Sequence, residues 1–213
     1  NQGLYVIDWK EGRPDGEYRM IDGTYGQVWY LGVHNGKIVC GHNYGTFIVE
    51  GENARQINNV PGGWKYIIPE NHPGFLLGGT YQGLILFRWE DNTWKFLRKI
   101  PGFSESFRVF EEDDNGDIWM SHGFKGVYKV RLSENLDSVV SSRFYTVEDG
   151  LPTNYTLNVF RIKDRIIFTG DTTSIYEFVP ESDRFRKSAY FNQLVSPVKG
   201  ITYLKEDSVG NIW

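Results

Sequence analysis

Seven side chains carry the recognition chemistry that this sequence offers: His42, Asn43, Trp64, Tyr81, Arg108, His122 and Asp171. Aromatic faces beside amides and hydroxyls suit a sugar or another polar organic molecule, held by apolar stacking and a few oriented hydrogen bonds. Arg108 adds a planar fork that takes a carboxylate or sulfate bidentately. Catalytic grammar is missing: there is no Gly-x-Ser-x-Gly elbow, no His-Glu-x-x-His, no Cys-x-x-Cys and no phosphate loop. A glycan lyase or hydrolase would need paired carboxylates or a His/Tyr set. His42, Tyr81 and His122 imitate the second, but Asp and Glu are scarce beside them. The dense acidic run Glu111, Glu112, Asp113, Asp114 can be laid on a calcium loop, yet its last position is His122 where a bidentate Glu is required. A solvated hairpin turn is the simpler reading, and neither a metal nor a cofactor is expected.

The elements that must position these residues follow from self-similarity. Segments 35–49, 72–87, 115–130 and 163–178 share one grammar: a turn, a short apolar strand, a small polar hinge, Gly or Ser, then a second strand. The equivalent turn positions Gly36, Gly74, Gly116, Asp164 and Gly210 are separated by 38, 42, 48 and 46 residues. A period of roughly 40–45 residues with four strands each is the mark of β-propeller blades. Asn35-Gly36 and Asn115-Gly116 suit two-residue hairpins, whose central residues both need positive φ.

With strands named A to D from axis to rim, the A strands fall near 27–33, 64–69, 107–112, 156–162 and 201–206. The B strands follow the turns. The C strands fall near 4–9, 46–50, 84–89, 127–132 and 175–179, and the D strands near 17–21, 55–58, 93–98, 142–147 and 184–190. The expected fold is therefore all-β, a β-propeller of four-stranded antiparallel blades: four full blades plus two half blades, one domain over 1–213. It reads as a fragment of a larger propeller; the alternative is a five-bladed ring closed by pairing the terminal halves. In such meanders the B–C hinges and D–A connections converge on one mouth. The hinges would bring His42, Asn43, Tyr81, His122 and Asp171 there, and the connections Trp64 and Arg108. Trp29, Trp89, Trp94 and Trp119 lie in strands and are expected between blades.

Composition agrees. Seven Trp, thirteen Tyr, fourteen Phe and 24 Gly favour strands and turns, and Ala occurs only at 54 and 189. The net charge of −4 offers no footprint for nucleic acid. Cys40 has no partner for an internal disulfide, and no apolar run approaches the roughly 18 residues of a membrane helix. A chain beginning at Asn1 and ending at Trp213 within a strand pattern reads as excised, and cut sheet edges leave a homodimer open.

Residues 112–130, Glu-Asp-Asp-Asn-Gly-Asp-Ile-Trp-Met-Ser-His-Gly-Phe-Lys-Gly-Val-Tyr-Lys-Val, resemble the repeat of the two-component regulator propeller family, D-x-x-G-x-I-W-h-G-T-x-x-G-L-Y. Tyr145-Thr-Val-Glu-Asp-Gly-Leu-Pro-Thr-Asn resembles the D-G-L-P-x-N link of that family, and Gly210-Asn-Ile-Trp and Asn1-Gln-Gly-Leu-Tyr-Val are similar to the two halves of its repeat. Asp171-Thr-Thr-Ser and Gly41-His-Asn-Tyr depart from the pattern. The resemblance implies a periplasmic sensor of an inner-membrane regulator, followed by a triple-tyrosine sandwich domain, a membrane helix, and a histidine kinase or helix-turn-helix output. It also implies a link to glycan uptake. The functional expectation is a ligand-sensing module for a small molecule or oligosaccharide, not itself an enzyme, with no nucleic-acid or membrane contact of its own. A protein-interaction scaffold and a glycan-processing propeller enzyme are the alternatives.

Overall fold

The structure is a computed structural model that describes residues 2–195 and 199–213. The repeat predicts one domain; the chain divides into two compact units, Asn1–Ile68 with His72–Lys99, and Pro69–Asn71 with Ile100–Trp213.

In the first unit, β1 (Tyr5–Lys10) and β2 (Arg13–Met20) form a two-stranded antiparallel sheet. A four-stranded meander follows: β3 (Val28–His34), β4 (Lys37–His42), β5 (Gly45–Glu50) and β6 (Asn53–Asn58). A second meander is built from β7 (Lys65–Ile67), β8 (Phe75–Thr80), β9 (Gly83–Glu90) and β10 (Thr93–Lys99). The Asn35-Gly36 turn has the expected geometry, with φ of 50° and 74°, because Asn and Gly tolerate the left-handed region that a tight hairpin demands. Val39 and Ile48 of one meander pack on Tyr66, Leu76, Ile85, Phe87 and Trp94 of the next. The first meander's other face packs Cys40, Phe47 and Val49 on Ile21, Leu4 and Val6. A sheet covered on both faces needs apolar residues at consecutive positions, which is why Leu84 to Phe87 form an unbroken run, all buried.

The second unit holds two more meanders. One comprises β11 (Val109–Glu112), β12 (Asp117–His122), β13 (Gly126–Leu132) and β14 (Val139–Tyr145). The other comprises β15 (Asn158–Ile162), β16 (Arg165–Thr169), β17 (Tyr176–Val179) and β18 (Arg184–Lys187). Trp119, Val127 and Tyr145 pack against Leu157, Val159, Phe168 and Phe185 between them. The strand expected over 184–190 stops at Lys187. Ser188 accepts from the Phe191 N–H and caps a short helix, α1 (Ala189–Leu194). No strand forms over 201–206; instead Lys205 and Trp213 exchange backbone hydrogen bonds in a terminal hairpin.

The residues behind the family resemblance do structural work. The turn at 113–117 is not the expected two-residue hairpin: Asp113 and Asp117 bond across it, and Asn115 lacks a positive φ. Asp113 Oδ1 accepts from the Asn115 and Asp117 N–H groups, and Oδ2 accepts from the Trp119 indole at 2.8 Å. One carboxylate thus closes the turn and fixes the ring six residues on. Asp207 repeats the arrangement with Val209, Asn211 and the Trp213 indole. The Trp213 and Asn211 bonds hold its carboxyl well below the usual carboxylate range. In the 145–154 link, Thr146 and Asp149 form a capping box and Gly150 follows at φ 99°. Asn154 Oδ1 accepts from the Val147 N–H, while Leu151 is buried in the core. Asp113→Ala should therefore lower stability by about 2–3 kcal/mol, since it strips a buried indole of its acceptor. Urea unfolding of the variant beside the parent chain checks this.

Candidate functional site

In the first unit, three of the expected residues come together where the chain passes from β6 to β7. The connection is pinned on both sides. Gly62 and Gly63 N–H donate to His42 O at 3.3 and 3.2 Å, Tyr81 N–H donates to Pro61 O at 3.3 Å, and Trp64 N–H donates to Gly79 O at 2.9 Å. A β-carbon at Gly62, φ 87°, would sit 2.5 Å from the Tyr81 ring, so glycine is what lets the backbone run beneath that ring. Trp64 meets Tyr81 edge-on, with centroids 5.5 Å apart at 78°. The Tyr81 hydroxyl donates to Asn43 Oδ1 at 3.1 Å. A third ring joins them: Trp29 lies 4.1 Å from Trp64 at 31°. Its strand position pointed only to inter-blade packing.

His42 requires a correction. It is fully buried, with Nε2 3.2 Å from Thr24 O and Nδ1 accepting from the Tyr44 N–H at 3.1 Å. Both ring nitrogens are engaged by backbone, so this side chain shapes the hinge from within and presents no face to a ligand.

In the second unit, Arg108 is exposed, its guanidinium carbon 5.9 Å from the Phe124 ring centre. His122 Nδ1 accepts from the Phe124 N–H at 3.1 Å, and its Nε2 lies 3.8 Å from Glu105, which is also 3.0 Å from Lys125 Nζ. Burial lowers the His122 pKa, and Lys125 lowers it further against the pull of Glu105. Asp171 is exposed and pairs with Lys199 at 3.4 Å. It belongs to neither cluster of recognition groups. Asp113, the centre of the would-be calcium loop, uses one carboxylate oxygen on its own turn and the other on the Trp119 indole.

No protein-family model matches the sequence, and comparison with curated proteins finds no match. Solved structures do match. A chain described as the extracellular domain of the hybrid two-component system BT4673 from B. thetaiotaomicron aligns over 85% of this chain with a TM-score of 0.61 and 18% identity. The corresponding domain of BT3049 from the same organism aligns over 87% with a TM-score of 0.59 and 20% identity. A chain described as a 6-phosphogluconolactonase from Bacteroides uniformis aligns over 88% with a TM-score of 0.54 and 10% identity. The fold is a β-propeller. The chain spans about a quarter of the two sensor chains, 24% and 25% of their lengths.

In propeller terms, the four meanders are blades and the hinges join strands B and C. One device recurs in all four hinges. The N–H two residues on donates to a side chain at His42, Thr80, His122 and Thr172, at 3.1, 3.0, 3.1 and 3.2 Å. Two of the five expected ligand-facing hinge residues, His42 and His122, are therefore self-caps of the turn. In the two histidine hinges the cap is titratable. Burial lowers the His42 pKa, with the Thr24 contact opposing, so the unfolded chain takes up the proton first. Stability is then complete above the unfolded value of about 6.5 and declines as pH falls from there toward the folded value. His34 is lowered in the same direction by burial. Urea midpoints measured from pH 7.5 to pH 5 should fall, and fall less in His42→Gln; an equal fall in both would contradict the assignment.

Proposed function

We propose that this propeller is the ligand-sensing module of a membrane-bound bacterial regulator, positioned outside the cytoplasm, and that it binds its signal without transforming it. The observation that carries the reading is the pinned connection of the first unit, which holds Trp64, Tyr81 and Asn43 in fixed relation before any ligand arrives. Prearranged aromatic faces beside an amide and a hydroxyl avoid the ordering cost that a flexible site would incur on binding. Likeness to extracellular domains of two-component systems supports the sensory role. The ligand class we assign is a glycan-derived oligosaccharide, for which ring stacking and oriented hydrogen bonds are the appropriate contacts. Arg108, beside Phe124 in the second unit, is a separate contact for a carboxylate or sulfate.

Calorimetry with neutral, uronic-acid and sulfated oligosaccharides tests this. Trp64→Ala should weaken binding by roughly 1–3 kcal/mol, about five- to a hundred-fold. Arg108→Ala should matter only for acidic members. Unchanged affinity in both variants removes the site, and release of product from any member of the panel replaces the sensor reading with an enzyme.

A further inference from the structure

We propose that Trp29 is a ligand-binding residue, its indole N–H donating to an acceptor oxygen of an uncharged, hydroxylated ring held against Trp64 and Tyr81. The inference rests on the reading of the first unit as a ligand site and names the chemistry that site selects.

Three observations carry it. Pairing of β3 with β4 shifts register between Val28, opposite His42, and Tyr30, opposite Gly41, so Trp29 is the extra residue of a bulge. A bulge re-aims its side chain away from the regular alternation of the strand, and bulges concentrate beside functional sites. The re-aimed ring stacks on Trp64 and so joins the cluster that includes Tyr81 and Asn43. The Trp29 indole nitrogen is shielded from solvent and has no hydrogen-bond acceptor among the described residues.

The indoles of Trp94, Trp119 and Trp213 all donate to protein acceptors: His34 O, Asp113 and Asp207. Folded proteins rarely leave a shielded donor unmatched, and a binding site is where such a donor awaits an acceptor from outside the chain. An indole nitrogen donates and never accepts, so the incoming group must be an oxygen with a free lone pair: a hydroxyl, a ring oxygen or a glycosidic oxygen. Trp29, Asn43, Trp64 and Tyr81 carry no charge, which favours a neutral sugar ring over an acidic one.

The test uses the 213-residue chain with maltotriose, cellotriose, xylotriose and trigalacturonate as probes. Trp29→Phe keeps an aromatic ring and removes the donor. It also identifies the Trp29 indole resonance by its disappearance from the proton–nitrogen spectrum. A neutral trisaccharide that binds should move that resonance downfield, and Trp29→Phe should weaken its binding by about tenfold. Trp64→Ala serves as the separate test of the site itself. If Trp64→Ala abolishes binding while the Trp29 resonance stays still and Trp29→Phe binds like the parent, the inference falls and the site stands. If binding is unaffected in both variants, or none of the probes binds, both fall. Binding by trigalacturonate alone overturns the assignment to an uncharged ring.

Discussion

Trp119→Ala lowers the unfolding free energy by about 3–5 kcal/mol, read as a fall in the denaturant midpoint at unchanged slope. Trp119 is 1% exposed and lies within 4.7 to 6.0 Å, centre to centre, of the rings of Tyr145, Phe168, Phe178 and Phe185. Lys129 Nζ stands 5.1 Å from the centre of its ring. Removing the indole empties a space walled by rings that cannot collapse into it, and leaves Asp113 without one of its donors. Trp119→Phe should cost less, because it restores most of the apolar volume and loses only the indole bond. A cost for Trp119→Ala close to about 1 kcal/mol, the ordinary effect of a point substitution, would show that the core of this unit is not organised around that ring.

Gly41→Ala is the second large effect, at about 2–4 kcal/mol, and it couples stability to binding. A β-carbon there would meet Gly63 O at 2.1 Å and the Tyr66 ring at 2.9 Å. Gly63 O is backbone and cannot rotate aside, so the connection must lift, breaking the Gly62 and Gly63 bonds to His42 O and displacing Trp64. Thermal unfolding should show the loss, and oligosaccharide affinity should fall with it. Gly74→Ala is the control: nothing lies within 4 Å of a β-carbon at that turn, and the change should stay within about 0.5 kcal/mol. Equal stability of the two variants would mean that the close approach at Gly41 is not a constraint.

Turn spacing makes the blade layout legible in the sequence, because hairpins need particular residues at particular places and a packed blade needs apolar runs of fixed length. Asn35-Gly36 shows this directly. Topology alone predicts that hinges and connections bring all seven candidate residues to one mouth; Asn43, Trp64 and Tyr81 meet in the first unit.

Depth and direction were not legible. His42 occupies a hinge like any other, but whether a hinge side chain points out or down is decided by the neighbouring chain, here Thr24 O and the Tyr44 N–H. Trp29 stacks on Trp64 of the next meander, the inter-blade packing its strand position predicts, but the bulge that carries it is a property of strand pairing and leaves no mark in composition. The run 111–114 looked merely solvated, yet Asp113 ties the turn to Trp119; a six-residue separation gives no hint that an Asp and a Trp will meet. The end of β18 follows a similar rule: Ser188 can close a helix or continue a strand, and local capping chose the helix.

The most direct measurement is a proton–nitrogen titration of the labelled chain with the tightest-binding neutral oligosaccharide. Shifts should be confined to the backbone amides of Asn43, Gly62, Gly63, Trp64 and Tyr81 and to the indoles of Trp29 and Trp64. The signals of Trp119 and of the 113–117 turn should stay still. Perturbations centred on the Trp119 core or the 113–117 turn, or a spectrum unmoved at saturating sugar, would contradict the proposed site.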